Sequence, residues 1–237
     1  MSETSLLGRF KASLIASAGQ VVFGMEDGTV SIFGLVFGVA ATTNDQSAVL
    51  VAGASGAVAA AVSMMAGTYL DVETNRDRAR VLTAHIESDL RNGSTAVLES
   101  VTQRLQTAGM PRDQAAVVSD FLSSRPTILK SVATALAVSA DSDLSQGPLV
   151  QSLWMLASDF FAAAVPILPF AFLSVPQGRL ISGTVTMLLL IGLGIGRGLI
   201  GNRNIFRTVV ETVSIGVAAA LAGVGIGIGI VHLSASG

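Results

Sequence analysis

The sequence contains five apolar stretches, each long enough to cross a lipid bilayer. They cover roughly residues 18–42, 48–71, 150–173, 180–200 and 207–231. A membrane-spanning α-helix needs about 20 mostly apolar residues. Hydrophobic residues make up 51% of the sequence and charged residues only 13%, whereas a typical soluble domain carries about 25% charged residues. The sequence therefore predicts an all-α membrane protein with five transmembrane helices.

A segment of different character, about residues 72–148, separates the second span from the third. It holds most of the charge, and its apolar residues recur with a helical period. Gly93 is expected to end one helix, and a polar loop at 139–148 is expected to lead into span three. The segment is therefore predicted to be a cytosolic helical domain. It is preceded by residues 1–71, which contain spans one and two, and followed by residues 149–237, which contain spans three to five.

The distribution of basic residues predicts the orientation. Of the 14 Lys and Arg residues, only Arg179 falls in a connection that would face away from the cytosol. Because basic residues are enriched in cytoplasmic connections, the N-terminus and the insert are predicted to be cytosolic. The first apolar run is too long for a signal peptide and is expected to be retained. Since no targeting extension is recognised, a bacterial plasma membrane is the expected location.

Several classes of function have no support in the composition. The chain has no cysteine, which excludes disulfides and thiolate metal sites, and its net charge of −2 gives no basis for nucleic-acid binding. The glycine runs at 192–198 and 223–229 lack the strand–loop–helix context of a phosphate-binding loop, so close helix packing is favoured. The spans contain no nucleophile–base pair. Neither an enzyme nor a tightly bound cofactor is predicted.

Acidic residues inside the spans are the strongest functional signal, because a carboxylate at bilayer depth is costly unless it is paired, hydrated or metal-bound. Asp27 lies ~13 Å from the cytosolic end of span one, and Asp159 lies at a similar depth in span three. Glu26 points about 100° away from Asp27 on a helix. No Lys or Arg lies in a span core, so an ion pair there is not expected. Asp159 remains open between a structural and a proton-carrying role, and Glu211 between a functional role and an interfacial pair with Arg207.

Span two carries a second group of candidates on one helical face. Met64, Thr68 and Asp71 follow at i, i+4 and i+7, and Glu73 and Asp77 continue the acidity towards the cytosol. Carboxylates suit hard divalent cations, while a thioether favours softer transition metals. The combination with the first-span carboxylate favours Fe²⁺ or Mn²⁺ over Mg²⁺ and Ca²⁺. The alternative for Met64 is ordinary apolar packing.

Four motifs together resemble the vacuolar iron transporter family over nearly the whole chain. They are GMEDGTVSIFGLVFGVA (24–40), SMMAGTYLDVETNRD (63–77), PILPF (166–170) and ETVSIGVAAALAGVGIG (211–227). The resemblance implies export of Fe²⁺, and often Mn²⁺, from the cytosol by proton antiport. It also implies a homodimer with the metal path at the dimer interface.

The resemblance assigns residues as well as a function. The first-span metal aspartate of the family corresponds to Asp27 and the second-span methionine to Met64, whereas a family glutamate falls on Thr68. In the metal-storing branch of the family, the insert carries repeated E-x-x-E pairs. Apart from the glutamate at its start, the insert of this chain has only two glutamates, Glu87 and Glu99. The insert is therefore either a reduced metal-capture domain or a helical scaffold. The candidate metal ligands are Asp27, Met64, Glu26, Asp71, Glu73, Glu87 and Glu99.

Two other functions remain open from the sequence alone. One is a non-transporting membrane metal sensor or scaffold that acts through the cytosolic insert. The other is a transporter of a different solute, because Thr68 departs from the family pattern. The expected partners are a divalent transition metal, protons, the lipid bilayer and a second copy of the chain.

Overall fold

The computed structural model describes residues 6–137 and 147–236. Within this part of the chain the structure is built from α-helices and contains no β-strand. The predicted loop at 139–148 falls almost entirely outside the described residues. The helices are α1 (Leu6–Ala16), α2 (Ala18–Thr42), α3 (Gln46–Asn92), α4 (Thr95–Thr107), α5 (Arg112–Ser123), α6 (Pro126–Ala137), α7 (Pro148–Phe172), α8 (Val175–Ile200) and α9 (Ile205–Ala235).

Five of the described helices are long and apolar enough to cross a membrane, namely α2, α3, α7, α8 and α9. The prediction of an all-α protein with five transmembrane helices is thereby confirmed. The chain divides into two compact units. One comprises Met1–Tyr69 with Gln146–Gly237, the other comprises Leu70–Ser145, and α3 contributes residues to both.

Helix α2 is the centre of the first unit and packs against α7, α8 and α9. A Cβ atom added to Gly28 would overlap the backbone carbonyl of Asp159 in α7. A Cβ atom added to Gly38 would lie only 2.6 Å from the carbonyl oxygen of Gly223 in α9. Small residues allow membrane helices to approach this closely. The glycines of α2 therefore set its contacts with two neighbouring helices.

The glycine runs of α8 and α9 pack with a spacing of four residues, although the sequence places glycine at every second position. In α9, Gly223 and Gly227 face the backbone of α2, whereas a Cβ built on Gly225 would have no described atom of another helix within 4 Å. In α8, Gly194 and Gly198 face α9. Only every second glycine of each run thus makes the close helix contact that the sequence predicted.

Substitution of Gly223 is expected to destabilise the bundle. A Cβ at this position would overlap the carbonyl of Gly34, so Gly223→Ala should cost about 1–3 kcal/mol as an overpacked contact. Gly225→Ala is the matched control and should be neutral or slightly stabilising, because alanine is the better helix former. Unfolding in mixed detergent–SDS micelles measures both. Equal unfolding midpoints for the two variants would contradict this packing.

The part of α3 in the first unit buries a narrow stripe of small residues. Val49, Gly53, Ala57 and Ala61 recur every four residues and are buried. Val49 and Ala57 join an apolar core cluster with residues of α2, α7 and α8. The four-residue period is that of one helix face against its neighbours. Met64 lies three residues beyond the stripe and is half-buried.

The second unit has its own apolar core. Val97, Val101, Leu122, Leu129 and Ala133, from α4, α5 and α6, form the buried cluster, and Ile86 and Leu90 from the end of α3 pack against it. Gly93 has a φ of +139° and separates α3 from α4. Glycine adopts this backbone conformation without steric penalty. The prediction that a helix ends at Gly93 is confirmed.

Candidate functional site

A cavity of about 490 Å³ lies between α2, the last turn of α8, the connection from α8 to α9, and α9 at Ile215. Most of its wall is apolar or glycine. Its charged lining residues are Glu26, Asp27, Arg197 and Arg203. The adjacent carboxylates of α2 thus face a space that also holds two cationic side chains.

Glu26 is held by partners on two other helices. Arg197 Nη1 lies 3.2 Å from Glu26 Oε1, and the Thr212 hydroxyl donates a hydrogen bond of 3.1 Å to the same oxygen. The Glu26 side chain is only 14% exposed and the Arg197 side chain 37%. This ion pair contradicts the expectation from the sequence that no ion pair would form inside the spans. Arg197 lies in the last turn of α8, which ends at Ile200, and its side chain extends from there to Glu26 on α2.

The ion pair predicts a specific pattern of stabilities. Arg197→Met should destabilise the protein by about 1–3 kcal/mol, because it leaves the Glu26 carboxylate partly buried and unpaired. The estimate lies below the cost of breaking a fully buried pair, since Arg197 is partly exposed to solvent. Arg197→Met combined with Glu26→Gln should recover most of the loss. A double-mutant cycle of unfolding free energies measures this coupling, and simple additivity of the two changes would contradict the pairing.

Asp27 is the carboxylate that remains available to a ligand. It is half-buried and lines the cavity. In the described part of the chain no side chain or backbone group forms a hydrogen bond or ion pair with it. Asp27 lies within a continuous helix, because α2 begins at Ala18 and is not broken at Gly28. The structure thus separates the two neighbouring acids into one paired and one free.

Asp159 of α7 lies behind this site. It is completely buried, and neither carboxylate oxygen has a hydrogen-bond partner among the described residues. A Cβ built on Gly28 would lie 2.8 Å from Asp159 Oδ1. Gly28 directly follows Asp27, so the Asp159 carboxylate packs against α2 one residue away from Asp27. The sequence placed the two residues at a common depth, and the structure brings them together.

The candidates on α3 are placed differently. Met64 is half-buried and is not among the described residues that line the cavity. Further along the helix, Asp71 accepts a 3.4 Å hydrogen bond from Asn75, and Glu73 lies 3.9 Å from Arg80. The described residues contain no group of three or more His, Cys, Asp or Glu side chains arranged to hold a metal.

The remaining acids have mixed surroundings. Glu87 forms a 2.6 Å ion pair with Lys130 inside the second unit. Glu99 is exposed and lines an open cavity of about 690 Å³ in that unit. Glu211 lies 3.1 Å from Arg207, which is the interfacial pair that the sequence left open. These contacts are those of solvated helix faces.

Comparison with known proteins adds a family to this geometry. The chain matches the VIT family over residues 18–228. It is 24% identical over 201 residues to vacuolar iron transporter 1 of Eucalyptus grandis, covering 84% of this chain and 80% of that protein. It is also 24% identical over 201 residues to vacuolar iron transporter 1 of Oryza sativa subsp. japonica, covering 84% and 79%. The vacuolar iron transporter of Centaurea cyanus is 24% identical over 224 residues, covering 92% and 91%.

The family match begins at the first residue of α2 and extends into α9, so that it includes the cavity, both acids of α2 and Asp159. A match of this extent is not confined to one motif or one helix. The chain belongs to the VIT family.

Proposed function

We propose that this protein exports Fe²⁺ or Mn²⁺ from the cytosol across a membrane in exchange for protons, and that it does so as a homodimer. Family membership and relatives named iron transporters support metal-ion transport across a membrane and argue against an enzyme. The proposed metal site depends chiefly on the position of Asp27. It is a free carboxylate on a cavity whose other acid is already paired with Arg197.

In the proposed mechanism the metal ion enters from the cytosol and binds Asp27. Met64 adds a thioether ligand from α3, and Asp71 and Glu73 attract cations towards the entrance. A ligating carboxylate must be deprotonated, so metal and protons compete for it. Protons arriving from the opposite side would displace the metal in the outward direction. The described residues of one protomer hold no group of three acidic or histidine ligands. Water and a second copy of the chain would therefore supply the remaining ligands of the metal ion.

Glu26 has a different role in this proposal. Its carboxylate already accepts from Arg197 and Thr212. We infer that it balances the charge of Arg197 at the cavity, while Asp27 carries the metal. The cavity therefore presents one unpaired negative charge to an incoming cation.

Transport by purified protein in liposomes tests the proposed function. The vesicles contain a dye that is quenched by Fe²⁺ and a second dye that reports pH. Metal entry accompanied by proton exit is the expected result, and repeating the assay with Mn²⁺, Co²⁺ and Zn²⁺ ranks the substrates. Absence of flux for every divalent metal, from protein shown to be folded, would overturn the proposal.

Cysteine labelling tests the predicted orientation. Because the chain contains no cysteine, a maleimide can react only with a cysteine that is introduced. A cysteine introduced by Asn44→Cys, between α2 and α3, should react with a membrane-impermeant maleimide added outside intact cells. A cysteine introduced by Gln103→Cys, in α4, should react only after the membrane is permeabilised. Both positions are exposed. The reverse pattern would place the insert outside the cytosol.

The location in a bacterial plasma membrane also stays a prediction, and the relatives named above are plant proteins.

The alternative is a non-transporting sensor or scaffold that works through the cytosolic insert. The ion pair between Glu87 and Lys130 removes one of the two predicted ligands of that domain, so we favour the scaffold role for the insert within a transporter. Replacing residues 80–145 by a short linker distinguishes the two functions. A transporter should retain measurable flux through the remaining helices. Complete loss of metal response by a folded variant would favour the sensor.

A further inference from the structure

The most unusual group in the described structure is the carboxylate of Asp159. Its side chain has no solvent exposure and no hydrogen-bond partner among the described residues. A buried carboxylate needs a partner, a proton or a cation, because an isolated charge is strongly unfavourable away from water. Neighbouring hydroxyls do not supply one. Ser158 donates to the backbone carbonyl of Met155, and Thr29 donates to that of Met25.

The packing of α2 against α7 fixes where this carboxylate lies. Gly28 has no side chain, and a Cβ at that position would stand 2.8 Å from Asp159 Oδ1. The carboxylate is therefore pressed against α2 one residue away from Asp27. Arg197 of the cavity wall already forms an ion pair with Glu26.

We propose that Asp27 and Asp159 together bind one divalent cation at the contact of α2 with α7. This inference rests on the proposed function and adds a second carboxylate ligand to its metal site. Two carboxylates without donors between them form an anionic, oxygen-only ligand pair, which suits Mn²⁺ or Fe²⁺. A divalent ion would neutralise both charges, and the other ligands of the proposed function, water included, would complete its coordination. Asp159, which no motif of the sequence singled out as a ligand, becomes a direct metal ligand.

Metal binding to the purified, detergent-solubilised protein tests the proposal. Free Mn²⁺ gives a six-line electron paramagnetic resonance signal that is lost on binding, so titration yields an affinity without any transport. Asp159→Asn and Asp27→Asn should each weaken Mn²⁺ binding at least tenfold. Asp113→Asn, an exposed position in α5, is the matched control and should bind as the wild type does.

The outcomes separate this inference from the proposed function. Wild-type affinity in Asp159→Asn, with binding lost in Asp27→Asn, would overturn the role of Asp159 and leave the transporter intact. No Mn²⁺ or Fe²⁺ binding by the wild type would overturn both. Removing an unpartnered buried charge should not destabilise the protein, so metal-free Asp159→Asn and the smaller Asp159→Ser should melt at or above the wild-type temperature. Unfolding of both variants would also contradict the proposal, because it would mean that the carboxylate has a structural partner.

Discussion

Asp27→Asn is expected to reduce metal flux at least 100-fold while leaving the protein folded. The substitution preserves the shape of the side chain and removes its negative charge. Asp27 has no described hydrogen-bond or ion-pair partner to lose, and the other acid on the cavity is committed to Arg197. An amide is a much weaker ligand for a divalent transition metal than a carboxylate. It also cannot exchange a proton for the metal, so binding and coupling should fail together.

The measurement is metal entry and proton exit in liposomes, compared with the wild type at equal protein density. Asp113→Asn removes the same charge from an exposed position in the second unit and should transport normally. Circular dichroism and gel filtration establish that the Asp27→Asn protein is folded and assembled as the wild type is. Normal flux in Asp27→Asn would refute the assignment of this residue. Equal loss in both variants would point to the net charge of the protein instead.

The five spans could be predicted from the sequence because length and hydropathy are local properties. Span one was expected at 18–42, and α2 occupies Ala18–Thr42. The boundary of span four was less accurate: α8 begins at Val175, ahead of the expected residue 180. The first turns of that helix contain Gln177 and Arg179, which lower the local hydropathy without ending the helix. Hydropathy reports the apolar part of a span, whereas the backbone hydrogen bonds continue beyond it.

The site could be predicted only in part. The depth of Asp27 and Asp159 follows from helical rise, and this shared depth was the available signal that the two residues lie near each other. The pairing of Glu26 with Arg197 was not predictable, because it depends on which helix lies beside α2. The same limit applies to Gly28, whose role is defined by the backbone of another helix. Contacts between distant segments are tertiary information that a single sequence does not contain.

Gly28→Val should be among the most disruptive single substitutions in the membrane bundle. Its Cβ would overlap the backbone carbonyl of Asp159 and crowd Oδ1 of the same residue at 2.8 Å. A backbone atom cannot rotate away as a side chain can, so α2 and α7 must separate. Overpacking of this kind costs about 3 kcal/mol. Because the strain falls between the two carboxylates, metal flux per folded protein should also drop at least tenfold.

Gly192→Val in α8 is the matched control for this substitution, because a Cβ built there would have no described atom of another helix within 4 Å. It should change the unfolding free energy by less than about 1 kcal/mol, the difference in helix propensity between the two residues. Unfolding in mixed detergent–SDS micelles and flux in liposomes should therefore separate the two variants. The charge of Asp27 is unchanged in Gly28→Val, so loss of flux by its folded fraction would reflect geometry. Wild-type stability and flux in Gly28→Val would show that α2 and α7 do not depend on this close approach, and the Asp27–Asp159 site would lose its structural basis.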